Sequence, residues 1–408
     1  MTATATASLR ELLAPQGWPY ASAASRGSPD PGRFHALFGR DSLITSLQVL
    51  PEQPDVARRT LRALAALQGV VEDPETDEEP GRIVHEHWPR APEWLRAAGW
   101  PVRDGEVRYY GSADATPWFL VVLAALDDQE LTDELDASWR AAGGWLERAL
   151  ERGGGLLRHG ARQSRGGLRQ QGWRDTVDPL EPDTPGGGIL RPDGSEPQPP
   201  LADADSQAVA LVGLRALARL SGEPRHRDAA ERLAALIEER FGPETMAIEA
   251  DGKEVAGAGS QLGWLLWAGA LPREAAERGA ERLCRPDVLT PWGIRTLSSE
   301  HPQFDPMAYH RGAVWPFDSW FAFGGLRAAG HVDEAERLRT GVLEALEVLG
   351  GAPELYAITE AGPSPIPFAN RVQAWTVGAR LALERRWDGR AQPSRGPGQR
   401  PLELAGGT

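Results

Sequence analysis

The sequence predicts an all-α protein of about twelve helices, paired as six hairpins in a double-layered toroid. Several long segments carry apolar residues at helical spacing. No segment shows sustained period-two alternation with β-branched residues, so an extensive sheet is not expected. With roughly 30 to 35 residues for each helix and its loop, the 408 residues are sufficient for this count.

The first clearly amphipathic segment is PDVARRTLRALAALQG, residues 54–69. The apolar positions on one face are Ala57, Leu61, Leu64 and Ala65. Asp55 is the predicted N-cap, and Gly69 is the predicted end of the helix.

The same spacing occurs in residues 228–242 and 333–351. Their apolar positions are Ala229, Leu233, Leu236, Ile237, Leu338, Val342, Leu346 and Leu349. Asp333 is the predicted N-cap of the later helix. A further helix is predicted from about Asp205 to Ser221.

The composition is that of a globular protein, with 41% hydrophobic and 25% charged residues. We expect one domain over residues 1–390 and a flexible Pro/Gly-rich tail over 391–408. Neither a run of about 18 apolar residues nor a secretion signal is found, so no membrane partner and a cytoplasmic location are predicted.

The net charge of −14 argues against nucleic acids and anionic membranes as partners. The single cysteine, Cys284, excludes an internal disulfide and a cysteine-based zinc site. A metal site at His85, Glu86 and His87 would need a second histidine cluster, which the sequence lacks. We therefore predict no metal and no cofactor, and leave the oligomeric state open.

Tryptophan is unusually frequent, with 15 Trp against 9 Phe and 5 Tyr. Indole rings stack on sugar faces, although packing between helices is the alternative for any single tryptophan. Trp173, Trp292 and Trp315 lie in loops rich in Gly, Pro and Asp, which favours the first explanation. The composition therefore indicates a carbohydrate ligand.

Six loops combine acidic, aromatic and other polar residues at predicted helix ends. They are residues 33–47, 81–90, 109–119, 170–179, 291–320 and 352–375. Any one of them could be structural, and Asp41 could be merely an N-cap. Together they predict one cavity at one end of the toroid.

Within these loops, seven collinear blocks resemble the amylo-α-1,6-glucosidase (glycogen-debranching) family. The blocks are LFGRDSLI, GRIVHE, YYGSADATPWF, QQGWRDTVD, WGIRTLS, MAYHRGAVWP and PELY…QAW. The blocks are more distantly similar to processing α-glucosidase I and bacterial mannosylglycerate hydrolases. The resemblance runs from about Trp18 to Leu381, and it implies an (α/α)6 barrel and an inverting glycoside hydrolase. The chain departs from the family pattern at Arg311 and Phe317, where asparagine and histidine are usual.

Inverting hydrolysis needs a protonated carboxyl group that protonates the leaving oxygen and a carboxylate that activates water. By resemblance, Asp175 is the general acid and Glu354 the general base. We expect Trp173 to raise the pKa of Asp175 by forming an apolar wall. The alternatives are that Asp175 caps a turn and that Glu360 is the base.

The resemblance also implies the sugar-binding residues. Arg40 and Asp41 would bind sugar hydroxyls in the −1 subsite. The other candidates are Phe38, His85, Glu86, Tyr110, Asp114, Trp173, Arg174, Trp292, His310, Arg311, Trp315, Gln373 and Trp375. His310 could instead be a satisfied loop histidine.

The sequence leaves three functions open. The first is hydrolysis of α-glucosides, including α-1,6-linked gluco-oligosaccharides. The second is hydrolysis of a small compatible-solute glycoside, glucosylglycerate or mannosylglycerate, whose carboxylate Arg311 could bind. The third is a non-catalytic sugar-binding protein, which the presence of both carboxylates disfavours.

Overall fold

The computed structural model describes residues 9–23, 32, 34–160, 167–177 and 188–385. The predicted tail at 391–408 lies outside these residues. The helix-rich character is confirmed. The helices are α1 (Gly39–Val49), α2 (Pro54–Ala65), α3 (Glu93–Ala97), α4 (Ala115–Leu126), α5 (Gln129–Glu134), α6 (Asp136–Arg152), α7 (Ala204–Ser221), α8 (Pro224–Arg240), α9 (Gln261–Trp267), α10 (Arg273–Leu283), α11 (Pro316–Ala329), α12 (Val332–Val348) and α13 (Ala374–Glu384).

Six of these helices pack side by side in a closed sequence of neighbours. The order is α1, α4, α7, α9, α11 and α13, and α13 packs back on α1. The helices α2, α6, α8, α10 and α12 each pack on one or two members of this ring. A short helical segment at residues 9–12 packs on α1 and α13 through Leu9 and Leu12. This arrangement is consistent with the predicted two layers.

The two layers differ in sequence because they differ in burial. All residues of α1 and of α9 are buried, and both helices lack a charged face towards solvent. The outer helix α2 buries a single stripe that includes Leu61 and Leu64. Glycines allow close approach within the ring: a Cβ on Gly325 of α11 would lie 2.6 Å from the carbonyl oxygen of Gly263 in α9.

Several predicted helices are observed, but two predicted caps are wrong. Asp55 and Asp333 lie in the first turns of α2 and α12, whose N-cap residues are Gln53 and His331. Proline at the first position starts α2 without a side-chain cap, since its φ is preset for a helix. An acidic side chain within the first turn still interacts favourably with the helix dipole.

The strands are short, and every pair among them is antiparallel. They are β1 (Leu37–Phe38), β2 (Glu86–Trp88), β3 (Val102–Arg103), β4 (Glu106–Tyr109), β5 (Leu168–Gln170), β6 (Thr176–Val177), β7 (Ala202–Asp203), β8 (Thr245–Ile248), β9 (Glu254–Ala256), β10 (Leu289–Thr290), β11 (Gly293–Ile294), β12 (Tyr356–Thr359) and β13 (Gly362–Pro365). The largest sheet has the order β1-β2-β4-β3 and aligns Phe38 with Glu86.

These strands lie in the segments that precede the ring helices, and several predicted site residues lie in the same segments. The hairpin β5–β6 carries the segment with Asp175, and β12 begins two residues after Glu354. Within the described part of the chain, no helix is both long and apolar enough to cross a membrane.

Candidate active site

The predicted site residues gather where the ring helices begin. Arg40 and Asp41 lie in the first turn of α1, and Asp114 is the N-cap of α4. Trp315 is the N-cap of α11, and Gln373 is the N-cap of α13. Helix N-termini carry partial positive charge, so this end of the ring favours carboxylates and other oxygen-rich groups.

Arg40 is the central cation of the site. Its Nε lies 2.8 and 2.9 Å from the two carboxylate oxygens of Asp114, and its Nη1 donates to Oδ2 of Asp175 over 2.9 Å. Its Nη2 donates to the carbonyl of Gly172 over 2.8 Å. Burial alone would lower the pKa of Arg40, but the negative charges of Asp114 and Asp175 raise it. Arg40 is therefore a permanent cation that ties the start of α1 to the loop before β6.

Asp175 points into this centre with its side chain 24% exposed. Its Oδ1 lies 3.7 Å from Nε2 of His310. Burial would raise the pKa of Asp175, but His310 and Arg40 outweigh that effect and lower it. The expectation that Trp173 raises this pKa is therefore wrong, because a buried cation and an imidazole from distant segments act more strongly than the neighbouring indole.

Glu354 is fully buried and is held through both of its carboxylate oxygens. Tyr309 donates its hydroxyl to Oε1, and Asn370 donates its backbone and side-chain N–H groups to Oε2, both over 3.0 Å. Such donors favour the ionised form of a carboxylate. The rival Glu360 is exposed in the turn between β12 and β13.

Two further carboxyl groups in this centre have strongly raised pKa values. Burial raises the pKa of Asp41 to about 7, with added repulsion from Asp175 and Glu354 and an opposing attraction from Arg40. Burial raises the pKa of Glu86 to about 8, although Trp88 donates to it over 2.6 Å. Because Asp41 is affected by both Asp175 and Glu354, these carboxylates share one electrostatic environment.

His85 is a neutral member of the same centre. Burial, reinforced by the charge of Arg40, lowers its pKa to about 3. Its ring meets that of Phe38 edge to face, with the centroids 5.6 Å apart. The imidazole can therefore donate or accept a hydrogen bond without carrying charge at neutral pH.

Aromatic rings form one wall beside the two predicted catalytic residues. Trp173 meets Trp315 edge to face at 5.7 Å, and His310 stacks on Trp315 at 5.3 Å. Trp375 meets Trp315 at 5.7 Å and stacks on Phe317 at 3.9 Å. Phe317, a departure from the family pattern, therefore completes an apolar cluster.

Four predicted site residues have side-chain contacts outside the centre around Arg40. They are Arg174, Tyr110, Trp292 and Arg311. The guanidinium of Arg174 donates to Asp205, Ser260 and the carbonyl of Thr296. Tyr110 donates its hydroxyl to the carbonyl of Leu67 over 2.9 Å.

Trp292 and Arg311 lie in segments beside the centre. Trp292 packs in a separate apolar cluster with Val314 and Tyr356. Arg311 is half-buried and donates to the carbonyl of Gln303 over 2.8 Å. None of these contacts joins either residue to Arg40 or Asp41.

The structure adds residues that sequence reasoning did not select. Tyr309 and Asn370 bind Glu354. Both lie within the polar loops that the sequence analysis named, but neither was selected there. Gln171 is next to the acid loop, and Arg40 Nη2 lies 3.3 Å from its carbonyl oxygen. Their positions in the aromatic loops were the available signal, but their partners lie too far along the chain to be read from spacing.

Comparisons with known proteins show which domain and which fold this chain is similar to. Residues 200–357 match the profile of the mannosylglycerate hydrolase MGH1-like glycoside hydrolase domain. A comparison with curated protein sequences finds no significant match.

Solved structures share the fold over nearly the whole chain. A GH63 mannosylglycerate hydrolase from Thermus thermophilus in complex with Tris is 17% identical, with a TM-score of 0.69 over 93% of this chain and 98% of that one. The same enzyme in complex with Tris and D-glycerate is 16% identical, with a TM-score of 0.69 over 93% and 99%. Its complex with glucose is 16% identical, with a TM-score of 0.67 over 93% and 99%.

The matched domain is of a glycoside hydrolase type, and the fold is that of GH63 enzymes. The similarity thus lies with the group that the sequence blocks resemble more distantly, the mannosylglycerate hydrolases. The protein is a glycoside hydrolase.

Proposed function

We propose that this protein is an inverting α-glycoside hydrolase in which Asp175 is the general acid and Glu354 the general base. The observation that carries the proposal is the shared centre of the two carboxyl groups, in which Arg40 binds Asp175 while Tyr309 and Asn370 bind Glu354. Inversion needs a separation of roughly 6.5 to 9.5 Å between them, which leaves space for a water molecule. We further propose that the ring is an (α/α)6 barrel and that residues 1–390 form its single catalytic domain.

The hydrogen bonds support this division of roles. Both oxygens of Glu354 accept hydrogen bonds from Tyr309 and Asn370, which suits a carboxylate that must stay ionised as a base. In Asp175, Arg40 binds Oδ2, whereas Oδ1 lies 3.7 Å from His310. We therefore assign the transferred proton of the acid to Oδ1.

For the substrate, we propose a small α-glycoside with a carboxylate on its aglycone, mannosylglycerate or glucosylglycerate. The match of residues 200–357 and the glucose and D-glycerate complexes of the similar Thermus enzyme support this choice. Arg311 donates to the carbonyl of Gln303 and therefore adds no support for this choice. The second candidate is an α-1,6-linked gluco-oligosaccharide, which the signature blocks favour.

A product-release screen tests the substrate. The purified protein would be incubated with mannosylglycerate, glucosylglycerate, isomaltose and limit dextrin, with Glu354→Gln as the inactive control. We expect sugar release from one or both glycerate glycosides. Release only from isomaltose or limit dextrin would favour the debranching alternative, and release from none would contradict the proposed activity.

Proton NMR of the first turnovers tests the mechanism. An α-glycoside should release the β-anomer before mutarotation, because water attacks the face opposite the leaving group. Initial release of the α-anomer would mean a covalent intermediate and would contradict the roles of Asp175 and Glu354.

A further inference from the structure

We infer that His159 is a positioning residue that holds the segment carrying Asp175 through one specific tautomer of its ring. His159 lies before that segment, well away from the start of α1 in sequence, and is 5% exposed. The inference rests on the proposed role of Asp175 as the general acid.

Both ring nitrogens of His159 have buried partners. Nε2 lies 2.6 Å from Oδ2 of Asp203, and Nδ1 lies 3.0 Å from the backbone nitrogen of Gln171. The backbone of His159 is fixed as well, because it exchanges two hydrogen bonds of 2.8 Å with Leu201. The ring is thus clamped between β7 and the loop that follows β5.

These contacts select the proton positions on the ring. The backbone N–H of Gln171 can only donate, so Nδ1 of His159 must be an unprotonated acceptor. The proton of the neutral ring then lies on Nε2 and is donated to Asp203.

The carboxylate of Asp203 is suited to accept the hydrogen bond from Nε2 of His159. Its Oδ1 accepts from the backbone N–H of Ser206 over 2.8 Å, as the N-cap of α7. Burial would raise the pKa of Asp203, but the hydrogen bonds from His159 and Ser206 lower it. The result is a series of hydrogen bonds that runs from the backbone N–H of Gln171 through the ring of His159 to Asp203, at the start of the ring helix α7.

The same backbone is connected to the catalytic centre. The carbonyl of Gln171 accepts from the backbone N–H of Ala113 over 2.8 Å, and Arg40 binds the next carbonyl, that of Gly172. Gly172 packs directly on the hydrogen-bonded pair of His159 and Asp203, since a Cβ on Gly172 would lie 3.0 Å from Oδ2 of Asp203. His159 therefore holds one side of the turn that ends at Asp175, and Arg40 holds the other.

Two substitutions separate the two hydrogen bonds of the ring. His159→Asn places a carbonyl oxygen near the position of Nδ1 and can still accept from Gln171, but it cannot reach Asp203. His159→Gln places its amide near Nε2 and can bind Asp203, but it has no acceptor for Gln171. A matched control is His226→Gln, because His226 is also buried but lies on the outer helix α8, where it contacts Ser221 at the end of α7.

The kinetic test compares substrates that need the acid with substrates that do not. We expect His159→Gln to lower kcat on mannosylglycerate or glucosylglycerate about tenfold or more, with little change in KM, and to lower kcat on the corresponding α-glycosyl fluoride much less. His159→Asn should stay close to wild type on both. Equal losses on both substrates, or a larger loss for His159→Asn than for His159→Gln, would overturn the inference.

Nitrogen NMR of the histidine rings gives a test that does not depend on turnover. In the wild-type protein, the signals lost in His159→Asn should be those of a neutral ring protonated on Nε2. A ring protonated on Nδ1 would overturn the inference even in an active enzyme. If the protein hydrolyses no glycoside but the Nε2 tautomer is found, the proposed function fails while the anchoring of Gln171 stands.

Discussion

Arg40 and Asp175, 135 positions apart, form an ion pair in which Nη1 of the guanidinium lies 2.9 Å from Oδ2 of the carboxylate. The same guanidinium binds Asp114 through its Nε. One buried cation thus connects two ring helices and the segment that carries the proposed acid. The pair also lowers the pKa of a residue that must donate a proton, which makes the pH dependence of turnover informative.

His310 provides the first prediction. It is one of the groups that lower the pKa of Asp175. Replacing it by Asn should therefore raise that pKa, so the acid stays protonated to higher pH and the alkaline limb of the kcat profile moves upward. Profiles of kcat against pH for wild type and His310→Asn would measure this. A limb that stays in place or moves to lower pH would contradict the assignment of Asp175 as the acid.

The second prediction concerns the two catalytic carboxylates. Asp175→Asn and Glu354→Gln keep the shape of the side chain but remove proton transfer, so each should lower kcat about 100-fold or more with little change in stability. For Asp175→Asn, the loss should shrink on an α-glycosyl fluoride, whose leaving group needs no proton. For Glu354→Gln, it should persist and be partly relieved by azide.

Asp41 supplies the matched comparison for that experiment. It is protonated at higher pH than Asp175, since burial raises its pKa to about 7, and could itself be considered an acid. If Asp41 only binds sugar hydroxyls, Asp41→Asn should raise KM and impair both classes of substrate alike. A loss confined to substrates with poor leaving groups would transfer the acid role from Asp175 to Asp41.

The effects of replacing Arg40 and Asp114 on the free energy of unfolding should be strongly coupled. The two side chains are 1% and 2% exposed, so Arg40→Met would leave an uncompensated buried charge and cost about 3 to 5 kcal/mol. Adding Asp114→Asn should recover part of that loss, because the unpaired carboxylate is then neutral. Chemical denaturation of the single and double variants measures the coupling, and simple additivity of the two effects would contradict it.

Asp318 should make the protein less stable as pH rises. Burial raises its pKa to about 7 in the folded protein, against an ordinary value of 3.8. Between these two pKa values the folded state therefore holds a proton that the unfolded chain has lost. The free energy of unfolding consequently falls as the pH rises from about 4 to about 7. Asn keeps the oxygen that accepts from Trp264 but never ionises.

Denaturation at pH 5 and pH 8 tests this expectation. Asp318→Asn should lose less stability than wild type over that interval, by up to a few kcal/mol. Glu238→Gln, on the exposed face of α8, is the control and should follow wild type. An Asp318→Asn variant with the same pH dependence as wild type would show that this carboxyl group does not retain its proton.

Sugar binding should alter the fluorescence of the tryptophans in one aromatic cluster of the site. Trp173, Trp315 and Trp375 lie together beside His310 or Phe317, whereas Trp292 packs in a separate cluster. Millimolar glucose or mannose should change the emission of wild type and of Trp292→Phe alike, and the change should be weaker in Trp375→Phe. Unchanged emission and unchanged thermal midpoint with both sugars would contradict a shared sugar cavity.

The sequence determined the helical character and much of the helix placement. The apolar spacing in residues 54–69 and 333–351 marks α2 and α12, because one face of each helix must be buried. Short motifs also singled out Asp175 and Glu354. The helix predictions succeed because helix periodicity is a local property of the chain, whereas the catalytic roles of Asp175 and Glu354 stay predictions.

The tertiary structure decided which partner each charged side chain found. Arg40 and Arg174 stand in similar polar loops, yet Arg40 binds Asp175 whereas Arg174 binds Asp205 and Ser260 on the neighbouring ring helices. Trp173, two residues from Asp175, suggested a raised pKa for Asp175, but His310 and Arg40, both far from Asp175 in the sequence, lower it. Electrostatic interaction depends on distance in space, and that distance is set only when the ring of helices closes.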